Sequence, residues 1–461
     1  MIEKQFGADG LDTTQQATAS DQQHITGESV SGEEEQSAGG QEEQIVTVVF
    51  TAENHLGYAA PGQSPRKREE WQQRLRSAFQ QATDFAVGQG VDLFIQAGDL
   101  FDSAMPDERD RSFVAARLAQ LRQANVRVFA LGGTHDTPTD THATAGEEVF
   151  APQQGYASLG ALTYFAPNTF ELEPVIIDVH GVPVGICGLA ALTNQPDTPL
   201  AHMHVSSDIE RAAIPLLILH APIEGLDASS SMLNSQTQVS RESIERQSAI
   251  RTILAGYHHT HHQLRLGQCD VVVAGATQHV GFANAGDASN ADKTPGFVFL
   301  GLDKNGIRWC EHIAVDALPL NDLVIRTGEL WPSEVSAAQR GATDAILTRL
   351  QPLCDEQTMV RLRLEGALTR QQYHQLDLNR LRHFGEEHAF AFSIDDSGLE
   401  LLPGDEKKAS VGAGERLSPR EELMALTDEW IATASDEQEK KALRATKEEL
   451  LAAMEEARIK V

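Results

Sequence analysis

The chain has few cysteines, and they are widely separated. Its 461 residues include four, Cys187, Cys269, Cys310 and Cys354, and no two of them form a Cys-x-x-Cys pair. Neither a zinc knuckle nor a disulfide framework is therefore indicated, and this usage fits a reducing cytoplasm. Long apolar runs and the basic and apolar regions of a signal peptide are also missing, so we expect a soluble, cytoplasmic protein without a membrane segment.

Positive charge is scarce as well. The chain has 37 Lys and Arg against 67 Asp and Glu, a formal net charge of -30. Phosphate contacts need clustered Lys and Arg, which argues against a surface that holds nucleic acid by its own electrostatics. Much of the acidic charge lies near the two ends of the chain, however, so the net charge leaves a DNA substrate open.

Composition divides the chain into four regions. Residues 1–43 are polar and nearly free of large apolar side chains, which predicts a disordered acidic tail. Apolar runs at 45–50, 91–97 and 126–131 alternate with helical patterns at 66–89 and 107–124. This alternation predicts parallel strands with right-handed crossovers, and we assign residues 44–315 to a large layered α/β domain.

Two smaller regions follow that domain. Residues 316–405 contain patterns for a helix at 332–350, a strand at 358–364 and a helix at 369–382, the size of a small α+β domain. Residues 406–461 are assigned to a linker and two amphipathic helices, the first opened by a capping box at Ser418-Pro419-Arg420-Glu421. These helices either pack on the body of the protein or bind a partner helix.

Several predicted strands end directly in polar side chains that bind metals. They are Glu53 and His55, Asp99, Thr134 and His135, His220, and the cluster His258-His259-Thr260-His261-His262. The carboxyl ends of parallel strands meet at one edge of a sheet, where such side chains come together. Two neighbouring divalent metals need a bridging carboxylate with imidazole and oxygen ligands around it, and they activate water toward a phosphoryl group. A single histidine of this kind is more often structural, but five such segments together indicate a metal centre.

In these segments the chain resembles the calcineurin-like metallophosphoesterases, and among them the SbcD-type DNA-repair nucleases and their YhaO-like relatives. That family has the motifs D-x-H, G-D-x-x-D, G-N-H-D, a lone H after a strand, and G-H-x-H. The corresponding segments here are Glu53-Asn54-His55, Gly98-Asp99-Leu100-Phe101-Asp102, Gly133-Thr134-His135-Asp136, Leu219-His220 and Gly256-Tyr257-His258-His259. Glu53, Thr134 and Tyr257 stand where the family motifs have Asp, Asn and His. The resemblance covers residues 45–315 and implies that 316–405 is a capping domain.

The resemblance also implies a role for each site residue. Asp99 would bridge two divalent ions, with manganese expected, and Glu53, His55 and one cluster histidine would hold the first ion. The second ion would be held by Asp99, Thr134, His220 and another cluster histidine. His135 would be the acid that assists the leaving oxygen, and Asp136 would orient it. His259 is retained in either alignment of the last motif, whereas His261 is a ligand only if that motif slides by two residues.

The expected function is a metal-dependent phosphodiesterase, a DNA exonuclease or endonuclease subunit in DNA repair. An SbcC-like ATPase would supply the grip on DNA and would contact the C-terminal helices, and homodimerisation stays open. Two alternatives remain. The altered motifs are also compatible with a weakened or inactive subunit that has a structural or regulatory role, and the fold is compatible with a small-molecule phosphoesterase.

Overall fold

The structure, a computed structural model, describes most of the chain between residues 44 and 402. The ranges are 44–60, 62–138, 150–166, 171–190, 203–226, 238–282, 294–331 and 341–402, with Leu200 and scattered positions from 427 to 447. These residues form two compact units that divide between Ala317 and Leu318. The predicted acidic tail and most of the predicted C-terminal helices lie outside the described residues.

The described residues contain the following strands and helices. The strands are β1 (Val46–Thr51), β2 (Leu93–Ala97), β3 (Arg127–Leu131), β4 (Thr163–Phe165), β5 (Glu171–Leu172), β6 (Val175–Val179), β7 (Val182–Ala190), β8 (His204–Val205), β9 (Ile214–His220), β10 (Thr252–Ala255), β11 (His262–Leu266), β12 (Cys269–Val273), β13 (Gly296–Asp303), β14 (Gly306–Ala314), β15 (Leu320–Arg326), β16 (Met359–Thr369) and β17 (Ala391–Leu402). The helices are α1 (Pro65–Gln89), α2 (Glu108–Gln123), α3 (Pro152–Ser158), α4 (Arg241–Glu245), α5 (Thr327–Leu330), α6 (Ala342–Leu350), α7 (Arg370–His374) and α8 (Leu378–His388), with 3-10 turns at Ser207–Arg211 and Gln351–Leu353.

The first unit is built on two six-stranded sheets. One has the order β14-β13-β1-β2-β3-β4, and β1 to β4 are parallel in it. The other has the order β11-β12-β10-β9-β7-β6, with β12, β10, β9 and β7 parallel. Antiparallel strands close the outer edges, as β6 does beside β7 and β11 beside β12. The short strands β5 and β8 pair separately.

The two sheets pack face to face around one apolar layer. Phe50 and Ile95 from the first sheet and Ile186, Ile218 and Leu254 from the second are buried in the same cluster. Successive side chains of a strand point to opposite faces, so each sheet also has an outer apolar face. The predicted layered α/β sandwich is thereby confirmed.

Helices cover the outer face of the first sheet. Phe79 of α1 packs edge-to-face on Phe94 of β2, and Phe85 of the same helix packs on Phe297 of β13. The helix begins where the sequence predicts a start, because the Ser64 side chain accepts a hydrogen bond from the Lys67 N–H and proline follows at the first turn. It ends at Gly90 in the left-handed conformation.

The second unit contains a parallel three-stranded sheet of order β15-β16-β17. Its helices bury Ile346 and Leu381 against Leu362 and Leu364 of β16. Two expectations for this region need correction. The strand predicted at 358–364 continues to Thr369, and the helix predicted at 369–382 is two helices, α7 and α8, because the Asp377 side chain accepts from the Arg380 N–H and starts a new helix. Of the helix predicted at 332–350, residues 332–340 lie outside the described residues.

Across the described part of the chain, no helix combines the length and the apolar character that crossing a membrane requires.

A buried ion pair joins the two covering helices of the first unit. Arg76 of α1 donates to Asp110 of α2 at 2.9 Å, and their side chains are 9% and 0% exposed. Burial raises the pKa of Asp110, and the hydrogen bond from Arg76 works against that rise. Removing one partner of a buried pair leaves an uncompensated group in the interior.

We expect Arg76→Ala to lower the free energy of unfolding by about 3–5 kcal/mol, because Asp110 loses its partner. Urea denaturation measures this change. The control is Arg246→Ala, since Arg246 pairs with Glu242 on the surface, where side chains are 75% and 68% exposed and a loss of less than about 1 kcal/mol is expected. Equal losses in the two variants would contradict a structural role for the buried pair.

Candidate metal centre

The polar side chains predicted to form a metal site follow parallel strands whose carboxyl ends meet at one edge. Beyond β1 and β2 the two loops stay paired through their backbones, as the Glu53 N–H donates to the Gly98 carbonyl at 3.2 Å and the His55 N–H to the Asp99 carbonyl at 3.0 Å. The Gly256 N–H after β10 donates to the Leu219 carbonyl of β9 at 2.8 Å. The loops after β1 and β2 are thus paired with each other, and the loop after β10 is tied to β9.

The backbone of these loops is strained at the site residues themselves. Glu53, His55, Asp99 and Tyr257 have φ of +50°, +44°, +53° and +78°, the left-handed region that L side chains rarely adopt. Each such residue costs on the order of 1–3 kcal/mol, so the surrounding structure must hold it in place. Strain concentrated in this way is typical of functional sites.

Glu53 is the central carboxylate of the site. Its Oε2 lies 3.2 Å from His55 Nε2 and 3.3 Å from His259 Nε2, while its Oε1 accepts from the Tyr257 N–H at 2.6 Å. The side chain is 1% exposed. Burial raises the pKa of Glu53, but hydrogen bonds from His259 and His55 outweigh it and hold that pKa well below its usual range. Glu53 is therefore ionised and surrounded by imidazoles.

His55 lies between two carboxylates. Its second ring nitrogen, Nδ1, is 3.0 Å from Asp102 Oδ1. Burial lowers the pKa of His55, but the hydrogen bonds to Asp102 and Glu53 and the nearby negative charges raise it to about 10. Asp102 Oδ1 is also 3.5 Å from Nδ1 of His135, whose side chain is 49% exposed. His135 therefore stands at the rim of the site, next to a carboxylate and open to solvent.

Asp99 and His220 form the other side of the site, and Thr134 lies against both. The Thr134 hydroxyl donates to Asp99 Oδ2 at 3.1 Å, and the His135 N–H donates to Asp99 Oδ1 at 2.7 Å. The Thr134 N–H donates to His220 Nε2 at 3.3 Å. His220 Nδ1 is 2.9 Å from the Ala97 carbonyl, so that nitrogen carries the proton.

Two predicted site residues have other contacts. Asp136, expected to orient His135, accepts from the N–H groups of Phe101 and Gly133 at 3.2 and 2.7 Å and from the Gln153 side chain. Burial and the charge of Asp99 raise the pKa of Asp136 to about 7, although the two N–H groups work against that rise. The carboxylate beside His135 is Asp102 instead.

His261 is the second of these two residues. Its Nδ1 is 2.8 Å from the Val273 carbonyl and its ring stacks on His312 at 4.6 Å, whereas His259 contacts Glu53. His258 accepts from the Ile223 N–H at 2.7 Å. This geometry favours the alignment that keeps Gly256, with Tyr257 in the position of the first histidine and its ring 5.7 Å from that of His220.

Sequence reasoning undervalued Asp102 and missed His279. Asp102 belongs to the Gly98–Asp102 motif, but the motif alone does not indicate its partners, His55 and His135. His279 lies in the segment after β12 (Cys269–Val273). Burial and the charge of the neighbouring His259 lower its pKa to about 4. Its position after an apolar strand was the one signal available.

The donor set fits a divalent metal. Donor atoms of Glu53, His55 and His259 all lie within 4.8 Å of one another, and so do those of Glu53, Asp99 and His220 and of His55, Asp102 and His135. Two ligand atoms about 2.1 Å from one ion lie roughly 3.0–3.4 Å apart. The two contacts of Glu53 Oε2, at 3.2 and 3.3 Å, match this spacing. Mixed carboxylate and imidazole ligands suit manganese, iron or zinc.

Comparisons with known proteins give partial matches. No protein-family model matches the chain. DNA double-strand break repair protein Mre11 of Methanosarcina mazei is 31% identical over 96 residues, and that of Thermoplasma acidophilum is 31% identical over 128 residues. The matches cover 21% and 27% of this chain but only 15% and 32% of those relatives. They confirm the resemblance to repair nucleases of the metallophosphoesterase type that the motifs indicate.

Solved structures align more loosely. A Staphylococcus aureus protein with a provisional 5′-nucleotidase assignment has a TM-score of 0.34 at 14% identity and covers 68% of this chain and 59% of its own. An archaeal phosphodiesterase has a TM-score of 0.28 at 8% identity and covers 58% of this chain and 100% of its own.

Close packing behind the site gives a test of its geometry. Gly98 has φ +91°, and a Cβ at this position would lie 2.1 Å from His220 Nδ1. Gly160 also has a positive φ, +66°, but a Cβ there meets nothing within 4 Å. We expect Gly160→Ala to cost about 1–2 kcal/mol of unfolding free energy from backbone strain alone. Gly98→Ala adds the clash with His220, so its cost measured by urea denaturation should be clearly greater, and an equal cost would refute the described packing.

Proposed function

We propose that the chain is a metal-dependent phosphodiesterase of the kind its Mre11 relatives represent, and that its substrate is DNA. The observation that carries this proposal is the convergence of Glu53, His55 and His259 at metal-ligand spacing, next to Asp99 and His220, at the ends of parallel strands. The order of these residues along the chain also follows the metallophosphoesterase motifs. The Mre11 relatives are DNA double-strand break repair proteins, and we propose DNA repair as the process in which this chain acts.

The residues of the site divide into those that hold a metal and those that act on the substrate. Glu53, His55 and His259 would hold one divalent ion, and the resemblance adds a second on Asp99, Thr134 and His220. A bound divalent metal polarises a phosphoryl oxygen and lowers the pKa of a water molecule. Mn²⁺ is the ion we propose.

The exposed imidazole suits His135 for contact with substrate. In this proposal His135 donates a proton to the leaving oxygen, and Asp102, 3.5 Å away, orients its ring. Asp136 binds backbone N–H groups and does not contact His135 in this proposal. By accepting from the N–H groups of Gly133 and Phe101, it keeps the Thr134–His135 loop against the loop that carries Asp99.

The assembly around this subunit is part of the same proposal. A net charge of -30 is a poor basis for holding DNA by the chain alone. We propose that an SbcC-like ATPase supplies that grip and binds the C-terminal helices, and that residues 316–405 form a capping domain that shapes the DNA groove. The four cysteines are free thiols, which supports a reducing compartment such as the cytoplasm.

We expect Asp99→Asn to reduce Mn²⁺-dependent DNA hydrolysis at least about 100-fold, because even residues that only support metal ligands change metal affinity or activity by that order. Digestion of plasmid DNA, set beside hydrolysis of a chromogenic phosphodiester, measures the effect. Asp208→Asn is the matched control, since Asp208 is 63% exposed in a surface ion pair with Arg211.

This assay distinguishes the proposed function from its two alternatives. Hydrolysis unchanged by Asp99→Asn would reject the proposed site. A wild-type protein that hydrolyses neither substrate would favour the inactive structural or regulatory subunit. Hydrolysis of the chromogenic diester without DNA cleavage would favour a small-molecule phosphoesterase.

We expect His135→Ala to lower kcat about 10²- to 10⁴-fold, the usual contribution of a general acid, while bound metal stays at the wild-type level. Activity assays and metal analysis of the same preparation check this. The control is His180→Ala, whose imidazole is 65% exposed and lies beside Asp92. Loss of metal in His135→Ala would instead make His135 a ligand.

A further inference from the structure

The two halves of the site differ in the groups that contact their carboxylates. Around Glu53 Oε2 the neighbours are the imidazole nitrogens of His55 and His259. Around Asp99 and His220 the hydrogen-bond donors are the peptide N–H and the hydroxyl of Thr134 and the peptide N–H of His135. His220 Nε2 itself lies 3.6 Å from Asp99 Oδ2. An imidazole gives up its proton when it binds a metal, but a peptide N–H keeps its hydrogen.

We infer that Thr134 takes the place of one metal ion, so that the protein alone binds a single divalent ion, at Glu53, His55 and His259. This inference rests on the proposed function, because it concerns the same site. It departs from the two ions that the family resemblance implies.

The state of His220 is the first argument. Its Nδ1 faces the Ala97 carbonyl at 2.9 Å and therefore carries the ring proton. A neutral imidazole then has one lone pair left, on Nε2. That lone pair accepts from the Thr134 N–H at 3.3 Å. A metal would need this same lone pair, so His220 can become a ligand only if Thr134 moves away.

The environment of Asp99 is the second argument. Each of its oxygens accepts a hydrogen bond from the Thr134–His135 loop, at 3.1 Å from the Thr134 hydroxyl and 2.7 Å from the His135 N–H. Two neutral donors thus bind the oxygens that an ion would otherwise bind. The loop can come this close because residue 133 is glycine, and a Cβ there would lie 2.2 Å from Asp99 Oδ1.

The loop is also anchored from behind, which opposes its displacement. The Gly133 N–H donates to the buried Asp136 at 2.7 Å, and the Thr137 N–H donates to the Gly133 carbonyl at 3.2 Å. Moving the backbone of Gly133 together with Thr134 would break these bonds inside the protein. Its hydroxyl would give little in return, because a neutral hydroxyl oxygen is a weaker metal ligand than a carboxylate or an imidazole.

Around Glu53 the corresponding obstacle is confined to one oxygen, because Oε1 accepts from a peptide N–H whereas Oε2 faces the imidazoles of His55 and His259. An ion bound there would be held by Glu53 Oε2 and the imidazole nitrogens of His55 and His259, and any proton on those nitrogens would be released. Glu53 keeps its second oxygen on the Tyr257 N–H at 2.6 Å, which holds the carboxylate in place. The ligand atoms are already at 3.2 and 3.3 Å.

Manganese titration of the full chain, after removal of metal with a chelator, tests the inference. We expect one equivalent of Mn²⁺ by elemental analysis after dialysis and the six-line electron paramagnetic resonance spectrum of an isolated ion. Two equivalents, or the exchange-coupled spectrum of a close pair, would overturn the inference. No bound manganese would overturn it as well.

Two variants separate the halves of the site. His259→Ala should lose the bound ion, whereas His220→Asn should keep one equivalent, because an asparagine amide can still donate to the Ala97 carbonyl. Thermal denaturation of both confirms that they fold. If His220→Asn loses manganese while His259→Ala retains it, the ion lies on the other side and the inference is wrong.

The same samples distinguish this inference from the proposed function. A protein with one equivalent of Mn²⁺ that hydrolyses neither DNA nor the chromogenic diester would reject the function and leave the stoichiometry standing. An active protein with two equivalents of Mn²⁺ would reject the single-ion inference and leave the proposed function standing.

Discussion

The pairing of two loops beyond the ends of β1 and β2 is the constraint on which the site depends. The peptide hydrogen bonds continue past the strands, from Glu53 to Gly98 and from His55 to Asp99, and Leu56 then forms a bridge with Phe101. This pairing forces Glu53, His55 and Asp99 into the left-handed region and turns their side chains toward each other. The apolar layer between the sheets supplies the stability that such strained residues require.

The negative charge of the buried carboxylates is balanced by side chains within the site. Glu53 and Asp99 are buried carboxylates, and the imidazoles of His55, His220 and His259 lie within 3.6 Å of them. Burying a carboxylate without partners is costly, so the imidazoles stabilise the site before any metal binds. Because a metal replaces protons, its affinity is linked to pH.

Much of the first unit could be predicted from the sequence because its parallel strands are buried on both faces and appear as continuous apolar runs. The runs at 45–50, 91–97 and 126–131 correspond to β1, β2 and β3, and the helix predicted at 66–89 corresponds to α1. Glu53, Asp99 and His220 could be predicted as site residues because each stands at the end of an apolar run. The contacts of Asp102 and Asp136 could not be predicted, because both lie in turns and only their distant partners decide where each carboxylate points. For His261 the sequence left two alignments, and the packing of its ring on His312 decides between them.

The span of the site along the chain has a consequence for biosynthesis. Tyr257 and Glu53, which share a hydrogen bond, are 204 residues apart in sequence. Contacts of such long range form late, because the intervening chain must first be ordered. During translation, therefore, the emerging polypeptide can arrange β1 to β3 and α1 well before the ribosome has delivered His259. The metal centre is completed only after the chain has been synthesised beyond His259, so a chain terminated before that residue cannot acquire it.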